Sequence, residues 1–233
     1  DDFITDNNCE ATVYPLTDVQ AAYLVGKTEA VKWGGIGCKG YIEVDFGSYS
    51  EEEISRAWEV LVDRHEMLRA KVTETGFEIL ERDEIDYEIE IINLQKMEEK
   101  EKTVTLSRIR EDFSKYVFHT ENPPLFKVVI TKRMEGNFFH LLVDLIVSDF
   151  ASVQILISEM GELLKGISLE KLRYRFSDYA MFNQQRKGSL KWHQDRMYWI
   201  ERLKKLPKAP ILPQDGRAAD KCENTYEFYR FQR

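Results

Sequence analysis

The densest group of chemistry-bearing residues is the run Val143-Asp144-Leu145-Ile146-Val147-Ser148-Asp149-Phe150-Ala151-Ser152. Two carboxylates and a hydroxyl at this spacing offer proton acceptors and a donor, the materials of general acid–base chemistry. Asp144 lies in an otherwise apolar stretch, where an unpaired carboxylate costs several kcal/mol. It must therefore be paired, hydrogen-bonded or turned to a polar cleft. Asp149 and Ser152 stand at the entrance of the next helical pattern and suit a helix cap equally well. A second group, Arg64-His65-Glu66-Met67-Leu68-Arg69, ends a helix, where cations complement the dipole. His65 continues the apolar face and reads as a hydrogen-bonded core histidine. An arginine here can also reach a buried carboxylate bidentately, and Arg69 with Asp149 is the expected pair, architectural in role.

Other candidate sites fall away on context. Gly35-Ile36-Gly37-Cys38-Lys39-Gly40 matches G-x-G-x-x-G. Dinucleotide binding needs a strand before that motif and a helix after it, and here the order is reversed. The segment reads as a loop. Four histidines without ligand spacing and three scattered cysteines suggest neither a metal nor a disulfide framework. Free thiols fit a cytoplasmic setting.

The elements that must position these groups follow from periodicity. Residues 1–12 read as a flexible leader. Thr17 with Gln20 and Ser50 with Glu53 are capping-box pairs opening two helices, the first ending near Gly26. The second carries Ile54, Ala57, Trp58, Leu61, His65 and Leu68 on one face. A strand spans 41–46, and short strands follow at 69–74, 77–81 and 86–92. A charged helix then turns Leu106, Ile109, Phe113 and Val117 inward. A strand from Leu125 to Thr131 reverses at Glu135-Gly136-Asn137 into Phe138 to Val147, apolar on both faces and so central in its sheet. Helices are expected at about 150–165, 177–187 and 190–205, then a proline-spaced connector and a strand at 226–231. The order of elements is α+β.

Composition bounds the partners. The chain has 233 residues, 43% hydrophobic and 32% charged, with 33 Lys+Arg against 41 Asp+Glu and a net charge of −8. That length makes one large domain or two small ones. An acidic chain does not suit phosphate-backbone recognition, which excludes nucleic acid. No apolar run approaches the roughly 20 residues that span a bilayer, and no secretory signal opens the chain.

Four motifs in order give a family resemblance. Tyr14-Pro15-Leu16-Thr17-Asp18-Val19-Gln20-Ala21-Ala22-Tyr23-Leu24-Val25-Gly26-Lys27 resembles the opening motif of the heterocyclization domains of nonribosomal peptide synthetases, relatives of the condensation domains. Arg64 to Ala70 resembles their R-H-x-M-L-R-A motif. Asp144, Asp149 and Ser152 fit D-x-x-x-x-D-x-x-S, which distinguishes heterocyclization domains. Leu206 to Pro213 resembles the L-P-x-x-P-x-L-P connector. Ordinary condensation domains carry H-H-x-x-x-D-G at the third place. Asp144 replaces the first histidine there, Leu145 the second, and Asp149 keeps the aspartate. Lys39 stands where many relatives carry histidine, with no role assigned to it.

The resemblance implies a chloramphenicol-acetyltransferase-like lobe, a mixed β-sheet packed with helices and half of a two-lobed fold. On that basis 13–205 form the N-terminal lobe, and 206–233 the connector and crossing strand toward a C-terminal lobe. Such domains condense a carrier-bound acyl group with Cys, Ser or Thr on a downstream carrier, then cyclodehydrate it to a thiazoline or oxazoline, as in siderophore or peptide natural-product synthesis. The implied partners are upstream and downstream peptidyl carrier proteins, with the C-terminal lobe and an adenylation domain in cis. No cofactor is bound directly; substrates ride on phosphopantetheine arms. The implied catalytic set is Asp144 for positioning or proton handling, Asp149 for holding the motif loop with Arg69, and Ser152 for orienting either carboxylate. Arg69, Arg64 and His65 support the motif. The residues used for dehydration lie largely in the second lobe, so this chain alone is expected to be inactive. The alternatives are a noncatalytic carrier-protein docking module, or an ordinary condensation domain or acyltransferase of the same fold; Leu145 argues against the histidine-dependent options.

Overall fold

The computed structural model describes residues 13–28 and 37–208, and the chain divides after Gln185 into two compact units. Residues 1–12, the connector from 209 and the expected strand at 226–231 lie outside the described residues, as does most of the loop before Gly37.

Helix starts are set by local chemistry. Helix α1 (Asp18–Lys27) begins at Thr17, whose hydroxyl accepts the Gln20 N–H at 3.3 Å while Gln20 Oε1 accepts the Thr17 N–H at 3.0 Å. Helix α2 (Glu51–Arg64) opens on the same box built from Ser50 and Glu53, with acidic residues in its first turn and Arg64 in its last. Strand β1 (Lys39–Asp45) lies between them; β2 (Ala70–Thr73) and β3 (Gly76–Ile79) form a small hairpin. Then come β4 (Glu90–Asn93), α3 (Glu99–Lys115), β5 (Phe126–Lys132), β6 (Asn137–Asp144), α4 (Phe150–Leu164) and α5 (Phe176–Arg186). In the second unit α6 (Leu190–Leu203) is capped by Ser189 and buries none of its residues.

The main sheet has the order β1-β6-β5-β4. The pairs β1–β6 and β6–β5 are antiparallel and β5–β4 is parallel. Strand β6 is central, as its two-sided apolar character predicts, and every residue but Phe138 is buried. Its register places Phe139 against Val44 and Ile130 on one face, and His140 against Glu43 and Val129 on the other. Trp58 of α2 packs onto the first face, its ring 5.1 Å from Phe126 and 5.4 Å from Phe139. Phe113 of α3 meets Tyr41 edge-on at 5.5 Å on the second. Helix α4 packs against α2. The result is a mixed sheet covered on both faces, in agreement with the α+β expectation.

Tyr14 extends the β2–β3 hairpin by a pair of backbone hydrogen bonds with Phe77, at 2.7 and 2.9 Å. This close approach needs Gly76, because a Cβ there would stand 2.4 Å from the Tyr14 carbonyl oxygen. Gly76→Ala is expected to destabilise the first unit by about 1–3 kcal/mol, the usual cost of overpacking. A urea midpoint unchanged at constant slope would contradict that close packing.

Three element ends differ from expectation. Helix α2 stops at Arg64 because His65 is extended (φ −99, ψ 101), so His65 and Leu68 lie outside the helix, Leu68 in a 3-10 turn, Glu66–Arg69. Strand β6 ends at Asp144, where a turn closed by Val147 N–H to the Asp144 carbonyl (3.2 Å) takes over. Val117 is 62% exposed, because α3 ends at Lys115 and Phe118 takes the inward position instead.

Candidate functional site

The carboxylate that the apolar strand had to satisfy is satisfied twice. Asp144, 1% exposed, pairs through Oδ2 with the Lys27 ammonium, and its Oδ1 accepts the Ile146 N–H at 3.0 Å. It thus closes its own turn two residues on, as short acidic side chains do. Gln20, buried on α1, donates to the Ile146 carbonyl at 3.1 Å. Lys39, directly across from Asp144 in the β1–β6 register, donates to the carbonyls of Ser114 and Tyr116 at the end of α3, where a cation is favoured. Burial lowers the Lys39 pKa, with the Asp144 charge opposing.

Beyond the strand, residues 145–149, the ends of α2 and α4 and the segment 172–179 surround a cleft of about 440 Å³. Leu145, Asp149 and Ser152 line it with Val19 and Tyr23 of α1; Asp144 does not. Asp149 is the N-cap of α4: its Oδ1 accepts both the Ser152 N–H and the Ser152 hydroxyl at 2.7 Å. Those two bonds hold the Asp149 carboxyl below its ordinary pKa. Of the two readings that the spacing allowed for Asp149 and Ser152, the cap is present, and both residues also face the cleft.

The pairing expected for Arg69 is not found. Its Nε donates to the Leu80 carbonyl at 2.9 Å, and one terminal nitrogen donates to Val62 and Asp63 at 2.6 and 2.7 Å. The last carbonyls of α2 lack helical partners, and Arg69, just past that helix end, satisfies them first. Arg64 and His65 instead grip Glu159 of α4: Arg64 Nε lies 3.1–3.2 Å from both oxygens and His65 Nε2 lies 2.6 Å from Oε2. His65 is hydrogen-bonded as expected, yet it stands on the cleft wall, not in the core. Glu66, which sequence reasoning passed over, is buried and accepts the Ser177 N–H at 2.6 Å and the Ser177 hydroxyl at 3.1 Å at the start of α5. The motif is a bracket joining α2, α4 and α5 around the cleft.

A second polar group was also missed. His140 is fully buried in the centre of the sheet, its Nδ1 2.9 Å from the Tyr41 hydroxyl and its Nε2 3.0 Å from Thr131 Oγ1. Tyr41 donates to Glu43 at 2.7 Å, and Arg110 of α3 binds both Glu43 oxygens. A neutral His140 completes this chain, donating from Nδ1 to Tyr41 and accepting at Nε2 from Thr131. Burial pushes the His140 pKa down to about 4, against the pull of Glu43. Burial would raise Glu43, but hydrogen bonds from Arg110 and Tyr41 bring it to about 2. The available signal was Tyr41 and Glu43 two apart on one strand, which places both on one face. Among the described residues no group of His, Cys, Asp and Glu is arranged to hold a metal ion, and no helix is long and apolar enough to cross a membrane.

Known proteins are similar to this chain in sequence and in fold. A family model described as condensation domain matches residues 10–230. Pyochelin synthetase PchF of Pseudomonas aeruginosa is 30% identical over 86% of this chain. Phenyloxazoline synthase MbtB of a Mycobacterium species is 26% identical over 88%. The EpoB NRPS cyclization-docking bidomain from Sorangium cellulosum superposes with a TM-score of 0.76 at 31% identity over 86% of this chain. The chain spans 11% of PchF, 17% of MbtB and 40% of the bidomain chain. The family match runs from ahead of the α1 capping box to beyond α6; the chain belongs to the condensation-domain family of nonribosomal peptide synthetases.

Proposed function

We propose that the chain forms part of a heterocyclization domain, which joins a carrier-bound acyl group to a Cys, Ser or Thr residue and closes the ring. The observation that carries this reading is Asp144-Leu145 at the end of β6, where condensation domains place two histidines. Leu145 lines the cleft and has no nitrogen to accept an amine proton. The similarity to a cyclization-docking bidomain and to a phenyloxazoline synthase supports the same assignment.

In this reading the cleft receives thioesters borne on the phosphopantetheine arms of upstream and downstream carrier proteins. The amine attacks the thioester carbonyl, an amide forms and the pantetheine thiol leaves with a proton. The side-chain thiol or hydroxyl then adds to that amide carbonyl, and loss of water gives the thiazoline or oxazoline. Asp149 and Ser152 are the members of the motif that reach the cleft, and they supply a carboxylate held ionised and a hydroxyl already oriented by it. Asp144, buried and ion-paired, acts by positioning the turn and not by carrying protons to substrate.

Asp149→Ala in the intact synthetase is expected to lower product formation about 100-fold, since both the cap and the cleft polarity are lost. Mass spectrometry of the carrier-bound product separates the amide from the heterocycle by one water. An unmodified synthetase that yields only the open amide would overturn the heterocyclization reading.

A further inference from the structure

Helix α1 touches the motif turn at two points. Gln20 and Lys27 are seven residues apart, two helical turns, and so share one face of α1. Gln20, 4% exposed, holds the Ile146 carbonyl at 3.1 Å, and Lys27, its side chain 17% exposed, holds the Asp144 carboxylate. Asp144 in turn fixes the Ile146 N–H, so both polar groups of the Ile146 peptide flank are tied, directly or through Asp144, to one helix. The Leu145 N–H is bonded to the Cys38 carbonyl at 2.9 Å, which closes the third side. Val19 and Tyr23 of the same helix line the cleft with Leu145, Asp149 and Ser152.

We propose that α1 is a clamp on the motif turn, with Lys27 and Gln20 as positioning residues that set where Leu145, Asp149 and Ser152 stand in the cleft. Lys27 is the specific partner of Asp144, because the other nearby ammonium, Lys39, is engaged by the Ser114 and Tyr116 carbonyls. The catalytic consequence rests on the heterocyclization reading; the mechanical one does not.

The test uses the intact synthetase and the variants Lys27→Met, Lys27→Arg, Asp144→Asn and the double variant Lys27→Met/Asp144→Asn. Two readouts are needed: amide exchange over 145–149 against α2, and steady-state kinetics with carrier-bound acceptor. In Lys27→Met, exchange at 145–149 is expected to rise while α2 is unmoved. Its kcat is expected to fall about 100-fold with KM changed less than about twofold, the signature of misplaced groups and not of lost binding. Lys27→Arg should recover most of that rate. The double variant removes the unpaired buried carboxylate and keeps the fold measurable, yet its exchange should remain raised. Exchange at 145–149 equal to the parent in Lys27→Met and in the double variant overturns the clamp. A synthetase that makes only open amide, with exchange raised as expected, upholds the clamp and refutes the heterocyclization reading alone.

Discussion

Trp58→Ala is expected to lower the unfolding free energy of the first unit by about 4 kcal/mol, within the usual cost of emptying a buried aromatic site. Trp58 has no exposed surface and is wedged between Phe126 and Phe139, on the sheet face opposite α3. Its neighbours belong to α2, β5 and β6, elements too constrained by their own hydrogen bonds to collapse into the void. Among the described residues the buried indole Nε1 has no hydrogen-bond partner, which separates two contributions. Trp58→Phe keeps most of the ring contact and removes the orphan donor, so its cost is expected to stay below about 1.5 kcal/mol. Urea unfolding followed by far-UV circular dichroism measures both. Equal losses in the two variants would show that the ring does not anchor the sheet.

The second large effect concerns pH. His140 is held neutral with a pKa of about 4, against 6.5 in an unfolded chain. Between those values the unfolded chain binds a proton that the folded one refuses, so stability falls as pH drops from 6.5 toward 4. The full shift corresponds to about 3 kcal/mol. Glu43, depressed from 4.5 to about 2, adds a loss of the same sign in the window just below. His140→Gln retains hydrogen-bonding capacity without a titrating group, and its stability should be flat between pH 6.5 and 4 relative to the parent. The other histidines are common to both proteins, so the difference isolates His140. Parallel pH profiles for the two would refute the assignment.

Much of the scaffold was legible because its signals are local. Thr17 with Gln20 and Ser50 with Glu53 satisfy one another within a single turn, and the observed helices start there. The central place of β6 followed from apolar residues on both its faces. Element ends were less legible, since α2 stops at the extended His65 and β6 at the Asp144 turn, and the side chains of both residues meet partners far along the chain, Glu159 and Lys27. The need for a partner to Asp144 could be argued from its apolar flanks, but Lys27, 117 residues away, could not be identified by spacing. Arg69 illustrates the opposite error: a long-range carboxylate was favoured over the unpaired carbonyls of the helix just before it. Nothing in the local sequence singled out His140, whose partners Tyr41 and Glu43 are set beside it by the pairing of β1 with β6.

That pairing also governs when the lobe can form. Tyr41 and His140 are 99 residues apart, yet they are neighbours in adjacent strands. At roughly 5–20 residues per second of synthesis, β1 waits about 5–20 s for the strand that completes it. During that interval its ladder groups have no mate, the condition under which strands join the wrong partner. The loop entropy of so distant a closure also slows the step itself. The nascent lobe is therefore most vulnerable to misassembly before β6 emerges, and substitutions that make β1 more apolar should reduce soluble yield more than they alter the finished fold.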